Sequence, residues 1–234
     1  MHLSVIIPTL NRRETARLLA GRIRELLPDL DVEVIVVSPP AGLQPGLDGS
    51  VRYVTDAGRG VYMAYGAGLR AATGEYVWFM GDDDYPLDTA ATVSSFLRDG
   101  IVDILVAPVL FSSGKIYRPA RTLLILQFLN WCQQGVVYRR QKLLRHRFFR
   151  RLNVKADQYV NILLRSDTSV KIQFLDDPIC MFGVNGVSGR SRDRGYGSLR
   201  LALARRTLSC GAFLVFRALV IVEPMIKRLI KIRP

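Results

Sequence analysis

Between residues 3 and 80 two kinds of apolar pattern alternate, and that alternation leaves the chain few folds to choose from. Leu3–Pro8, Val32–Val37, Val51–Thr55 and Glu75–Met80 are short β-branched or aromatic runs, fit for buried strands. After the first, Thr15, Leu18, Leu19, Ile23, Leu26 and Leu27 recur at helical spacing until Pro28, with Asn11 placed to cap the helix. Gly60–Ala72 reads as a second helix despite Gly66 and Gly68. Strand, helix, strand, strand, helix, strand predicts an α/β domain with a mostly parallel sheet flanked by helices. Such sheets take ligands beyond the carboxyl ends of their strands. Pro8, Thr9, Ser38 and residues Gly81–Asp84 fall at those ends.

Beyond residue 87 the pattern is less regular. A helix is expected over Asp88–Leu97, a strand over Asp103–Phe111, a helix over Ala156–Leu164 and a strand over Val170–Phe174. Leu123–Leu129 is a short apolar run, and Gly135–Tyr138 leads into the basic stretch Arg139–Arg151. At 234 residues, 49% of them hydrophobic, the chain can bury a full core and is not a disordered one. No internal repeat or low-complexity linker divides it.

The charge is uneven. Lys and Arg number 33 against 20 acids, yet residues 190–234 alone hold eleven basic residues and two acids. Residues 199–234 alternate that charge with Leu, Phe, Val and Ile. The apolar run Leu208–Val222 contains Arg217 and is short for a membrane span, and Pro224 is expected to break or begin a helix. A basic helix with an apolar face suits an anionic membrane surface, and a core helix with a solvated face is the other reading. A nucleic-acid partner would want stacking aromatics or polar contacts among the basic residues, and this tail is aliphatic, so none is expected. Cys132, Cys180 and Cys210 form neither a metal spacing nor a disulfide framework. With an N-terminus that reads as a strand rather than a secretory leader, they suggest the cytoplasm, on the inner face of the cell membrane.

The stretch FMGDDDYP sets Asp82, Asp83 and Asp84 side by side at the end of an apolar run. Either the three carboxylates splay into water in a turn, or a cation sits among them. Mg²⁺ or Mn²⁺ takes one or two carboxylates together with substrate phosphates and water, and such an ion offsets charge on a departing diphosphate.

The order SVIIPTLNR, then TDAGRGVYMAYGAGLRAATGEYVWFMGDDD, resembles family 2 glycosyltransferases of the GT-A fold. The resemblance is closest to bacterial enzymes that build surface polysaccharides. It continues through Cys132-Gln133-Gln134 with Val136–Arg140, through Ala156–Tyr159, and through Gly183–Ser188, and so covers about residues 1–190. It implies transfer of a sugar, with inversion, from a nucleoside diphosphate to a hydroxyl of a lipid-linked or saccharide acceptor. Pro8, Thr9, Asn11, Ser38, Arg59, Tyr62, Asp82 and Asp83 would hold the donor, and Asp83 with Asp84 would hold Mn²⁺ or Mg²⁺. Gln133 and Gln134 would meet the acceptor, and Asp157 would be the base. From its position alone Asp157 is more often an acidic residue in the first turn of a helix, and the resemblance reverses that preference.

Gly81 stands where the family has the first Asp of its D-x-D motif, and Ser38 where it has the Asp that ends the second strand. Met63, Gly66 and Gln133 replace the usual Asp, Asn and His. A non-catalytic relative of the family, or a nucleotidyltransferase, therefore stays open. Arg190, Arg192 and Arg194 lie in a Gly-rich loop that could close over a diphosphate. The expected organisation is a transferase domain over residues 1–198, its nucleotide-sugar half ending at 110, followed by a helical tail over 199–234.

Overall fold

The computed structural model describes residues 2–40, 46–48, 51–58, 60–146, 152, 154–183, 193 and 195–231. The chain opens with strand β1 (His2–Pro8), helix α1 (Arg13–Leu26), β2 (Asp31–Ser38), β3 (Gly46–Asp48), β4 (Val51–Thr55), helix α2 (Val61–Ala71) and β5 (Tyr76–Phe79). It continues with β6 (Tyr85–Pro86), α3 (Val93–Arg98), β7 (Ile104–Val106), β8 (Val109–Phe111), β9 (Ile116–Tyr117), α4 (Leu123–Leu126) and β10 (Val136–Arg139). Then follow α5 (Arg140–Leu144), α6 (Ala156–Ser166), β11 (Ile172–Phe174), β12 (Cys180–Phe182), α7 (Tyr196–Thr207) and α8 (Cys210–Lys231).

Eight strands form one sheet in the order β11-β7-β10-β5-β1-β2-β4-β3. The pairs β5–β1, β1–β2, β2–β4 and β11–β7 are parallel, whereas β10 runs antiparallel between β5 and β7. The α/β class and the mostly parallel sheet are as expected. Alternate side chains of β1 explain the layering. Leu3, Val5 and Ile7 pack with Ala16, Leu19, Ala20 and Ile23 of α1 on one face. Ile6 packs with Ala64, Ala67 and Leu69 of α2 on the other. Both faces are covered, which is why β1 and β2 read as unbroken apolar runs rather than alternating ones. Gly68 has a steric role here, since a Cβ on it would lie 2.3 Å from Ile6 Cγ2.

Four local expectations are corrected. Asn11 does not cap α1; the cap position is Arg12, whose N–H donates to Thr9 Oγ1 at 3.0 Å. The strand expected over Asp103–Phe111 is two strands, because Pro108 has no N–H to continue the ladder. Its first part joins the large sheet, and its second joins a four-stranded sheet in the order β6-β12-β8-β9. The helix expected from Asp88 begins as a 3₁₀ turn over Asp88–Thr92 before α3. Pro224 neither starts nor ends a helix but lies within α8.

Residues after 110 contribute β10 and β11 to the large sheet, so the two expected halves share it. The position expected to begin the tail falls inside α7. α8 packs back on the body through buried Phe216, whose ring centroid is 5.4 Å from that of Phe128. Arg200 of α7 lies over both rings and pairs with Glu223 at 2.7 Å.

Candidate active site

β1, β2 and β5 end together, which brings Pro8, Thr9, Ser38 and the three aspartates to one edge of the sheet. Thr9 N–H donates to Val37 O at 2.8 Å and Met80 N–H to Ile6 O at 3.1 Å, so the loops leave the strands in register. Each aspartate then meets a different environment. Asp82 is buried, accepts the Thr9 hydroxyl at 2.6 Å and pairs with Arg12 at 3.3 Å. Asp84 is also buried, and its two oxygens accept the N–H groups of Gly81 and Gly183. Burial pushes its carboxyl up to about 6, against those two bonds and one from Gln134.

Asp83 is the aspartate left open, for its Oδ2 is buried and has no hydrogen-bond partner. A Cβ on Gly183 would lie 2.6 Å from the Asp83 carboxyl carbon, and one on Gly81 2.9 Å from Asp83 Oδ1. Glycine at both positions is thus what leaves room for that carboxylate. A buried, unfilled carboxylate oxygen costs free energy unless something binds it, and a divalent cation shared with substrate phosphates fits. Among the described residues no three His, Cys, Asp or Glu side chains form a closed metal cage.

Asp157, in the first turn of α6, is buried. Asn130 Nδ2 donates to its Oδ2 at 2.7 Å, and Gln158 N–H to its Oδ1 at 2.7 Å. The Tyr62 hydroxyl lies between the Asp157 carboxylate and Val154 O, the latter at 3.0 Å. Burial raises the Asp157 carboxyl above its ordinary value, opposed by the bonds from Tyr62, Gln158 and Asn130 and by the charge of Lys155. The buried Tyr65 phenol is pushed well above its ordinary value by burial and, to a smaller degree, by the charges of Asp84, Asp157 and Asp83.

The other expected residues are placed as follows. Pro8 ends β1, Ser38 is buried at the end of β2, and Asn11 is exposed on the turn after β1. Gln133 and Gln134 are buried. Gln134 is bonded to Asp84 and accepts the Cys132 thiol at 3.1 Å, while Gln133 Nε2 has no hydrogen-bond partner. Arg59, Arg190, Arg192 and Arg194 lie outside the described residues, as does most of the Gly183–Ser188 segment.

Sequence reasoning missed five residues that the fold brings in. Arg12 and Asn130 contact the aspartates directly. Asp193 accepts the N–H groups of Val154 and Lys155 at 2.9 and 2.8 Å, which ties the chain after the loop to the start of α6. Asp56 follows β4 beside Ser38, with a buried Oδ1 that has no partner. Only Asn161, four residues after Asp157 on one helix face, left a spacing signal.

A GT-A fold with acidic groups at the strand ends defines the class. The sequence matches the glycosyl transferase family 2 profile over residues 4–160, and the chain belongs to that family. Comparison with curated proteins returns no match. S. aureus TarS 1-349 in complex with UDP-GlcNAc is similar in structure, with a TM-score of 0.65 and 19% identity over 89% of this chain and 68% of that one. Against TarS 1-349 alone the chain spans 60% of that fragment's length, at 21% identity and a TM-score of 0.60. Mannosyltransferase PcManGT from Pyrobaculum calidifontis, in complex with GDP-Man and Mn²⁺, has a TM-score of 0.54 at 20% identity, over 87% of this chain and 61% of that one. At these identities the likeness is one of fold.

Proposed function

We propose that this chain is an inverting glycosyltransferase acting in polysaccharide biosynthesis. In this reading it moves a sugar from a nucleoside diphosphate to a hydroxyl of a lipid-linked or saccharide acceptor. The observation that carries the reading is a pair of carboxyl groups in two unlike environments, Asp157 buried and held by donors on both oxygens, Asp83 with one buried oxygen that has no partner. Asp157 takes the proton from the acceptor hydroxyl as it attacks the anomeric carbon. Inversion is what a single direct displacement by that hydroxyl would give. Pro8, Thr9, Ser38 and Tyr62 border the nucleotide side, and Asp82 is committed to fixing Thr9 and Arg12. Gln133, with its unfilled Nε2, and Gln134 border the acceptor side.

Asp83, with Asp84 beside it, would hold Mn²⁺ or Mg²⁺. Such an ion supplies Lewis-acid stabilisation to the leaving diphosphate. The test is a thermal-shift screen of nucleoside diphosphates with and without Mn²⁺. One diphosphate is expected to raise the melting temperature in a metal-dependent way. No shift with any of them would favour the non-catalytic reading that Gly81 and Ser38 keep open.

The tail is proposed to rest on an anionic membrane surface, where a lipid-linked acceptor would be met. No helix among the described residues is long and apolar enough to cross a membrane. Opposite buried Phe216, helix α8 exposes Leu214, Val215, Ile221 and Val222 on one face, with exposed Arg217 at its border. Exposed Arg205 and Arg206 of α7 add to the charge. Co-sedimentation with phosphatidylglycerol vesicles is expected to fall with added salt and with Ile221→Glu, and to be absent with phosphatidylcholine alone. Equal recovery with both lipids would overturn this placement.

A further inference from the structure

We infer that Asn130 is the positioning residue for Asp157. Together with Asn161 and Tyr138 it forms a one-way chain of hydrogen bonds that holds the carboxylate in its ionised, outward-accepting state. This rests on the reading of Asp157 as the base.

The chain runs through the core. Tyr138 Oη donates to Asn161 Oδ1 at 2.8 Å, Asn161 Nδ2 donates to Asn130 Oδ1 at 3.0 Å, and Asn130 Nδ2 donates to Asp157 Oδ2 at 2.7 Å. Tyr138 and Asn161 are fully buried, so no water competes for the links. The direction is set by chemistry. An ionised carboxylate only accepts, so Asn130 must turn its NH₂ to Asp157 and its carbonyl to Asn161. Asn161 must then turn its own NH₂ to Asn130 and its carbonyl to Tyr138, whose phenol supplies the proton that ends the chain. Three elements, β10, α6 and the loop before the 3₁₀ turn at Gln133, are thereby tied to one carboxylate oxygen. Gln158 N–H holds the other oxygen, so the carboxyl plane is fixed from two sides.

The groups facing Asp157 from the surrounding elements leave this arrangement undisturbed. Burial pushes Tyr62, Tyr65 and Tyr138 well above the ordinary phenol value, lifts Tyr117 and the Cys132 thiol each to about 12, and raises Tyr196 as well. All six therefore stay neutral where a carboxyl titrates. Lys155, two residues earlier, supplies a positive charge, and the Asp193 carboxylate, bonded to the N–H groups of Val154 and Lys155, is the negative group of that segment. Asn130 is thus a donor whose removal would make ionisation harder while leaving the charges around Asp157 as they were.

The experiment is a titration of the Asp157 carboxyl by ¹³C NMR in protein labelled at aspartate Cγ, with the signal assigned by its loss in Asp157→Asn. Removing one hydrogen bond to a charged group is expected to raise the midpoint by about one pH unit in Asn130→Ala. Asn130→Asp, which puts a second carboxyl against Oδ2, is expected to raise it further. Tyr138→Phe keeps the ring and removes the hydroxyl that ends the chain, together with its 3.4 Å contact to Gln133 Oε1, so it should move the midpoint the same way by less. In a transfer assay the acid limb of kcat should follow the midpoint, with the KM for the donor unchanged. An unmoved midpoint in both Asn130→Ala and Tyr138→Phe overturns the positioning role. Undiminished transfer by Asp157→Asn would instead overturn the base assignment, and the two failures are read from different measurements.

Discussion

Asp157→Asn is expected to slow sugar transfer by about 100- to 10,000-fold while the protein still folds and still binds nucleotide. That range is what a positioned general base contributes, and the amide cannot take its place. The fold should survive because the substitution conserves volume in a buried site. Its cost is local, because one carbonyl oxygen replaces two and the new NH₂ faces either Asn130 Nδ2 or Gln158 N–H. One donor is then left without an acceptor, at about 1–3 kcal/mol. Nucleotide binding should persist because Thr9, Asp82 and Asp83 lie on other elements. Turnover and a nucleotide thermal shift measured on the same sample check both halves. Full turnover would remove Asp157 from the chemistry.

The same residue links activity and stability through pH. Burial raises its folded midpoint above the ordinary 3.8, so the folded state binds the proton more tightly than the unfolded one. The stability this contributes is fully present below the ordinary value and is lost as pH rises through the raised midpoint. Activity runs the other way, since only the ionised form accepts a proton. The enzyme would therefore work at the pH where Asp157 is a burden to the fold, and the donors from Asn130, Gln158 and Tyr62 limit that burden.

How much of this could be read from residues alone depends on what side chains record. β1, β2 and β5 stand within a residue or two of their expected limits, because strands buried on both faces leave continuous apolar runs, and β4, buried only at Val51, was marked by its β-branched residues. Strand direction leaves no such mark, so the antiparallel insertion of β10 was invisible. The Asp103–Phe111 run is apolar on both sides of Pro108 and hides the passage from one sheet to the other. β3 lies in a Gly- and Pro-rich stretch that carries no periodic signal. The site was legible where acids cluster or fall in a motif, as at Asp82–Asp84 and Asp157. It was illegible where a neutral amide supports an acid from a distant loop. Asn130 has no spacing relation to Asp157, and only the folded chain brings them to 2.7 Å.

The second large effect is expected at Asp83, and its signature is a loss of ligand response without a loss of stability. Asp82 and Asp84 are bound by the protein itself, through Thr9 and Arg12 in one case and two backbone N–H groups in the other. Asp83 Oδ2 is buried and unpartnered, so in the free protein it contributes only its desolvation. Asp83→Ala should therefore melt no lower than the parent without ligand, the reverse of what removing a bonded core carboxylate would do. With Mn²⁺ and the matching nucleoside diphosphate, the parent gains stability and the variant should not. Transfer should fall at least about 100-fold, because stabilising the leaving diphosphate is a matter of several kcal/mol and each 1.36 kcal/mol is tenfold in rate. Asp82→Ala makes the contrast, since it strips the partner from Thr9 and Arg12 and should lower the melting temperature even without ligand. If Asp83→Ala instead lost stability in the free protein and kept its metal-dependent shift, the open oxygen would be structural and the ion would have to be held elsewhere.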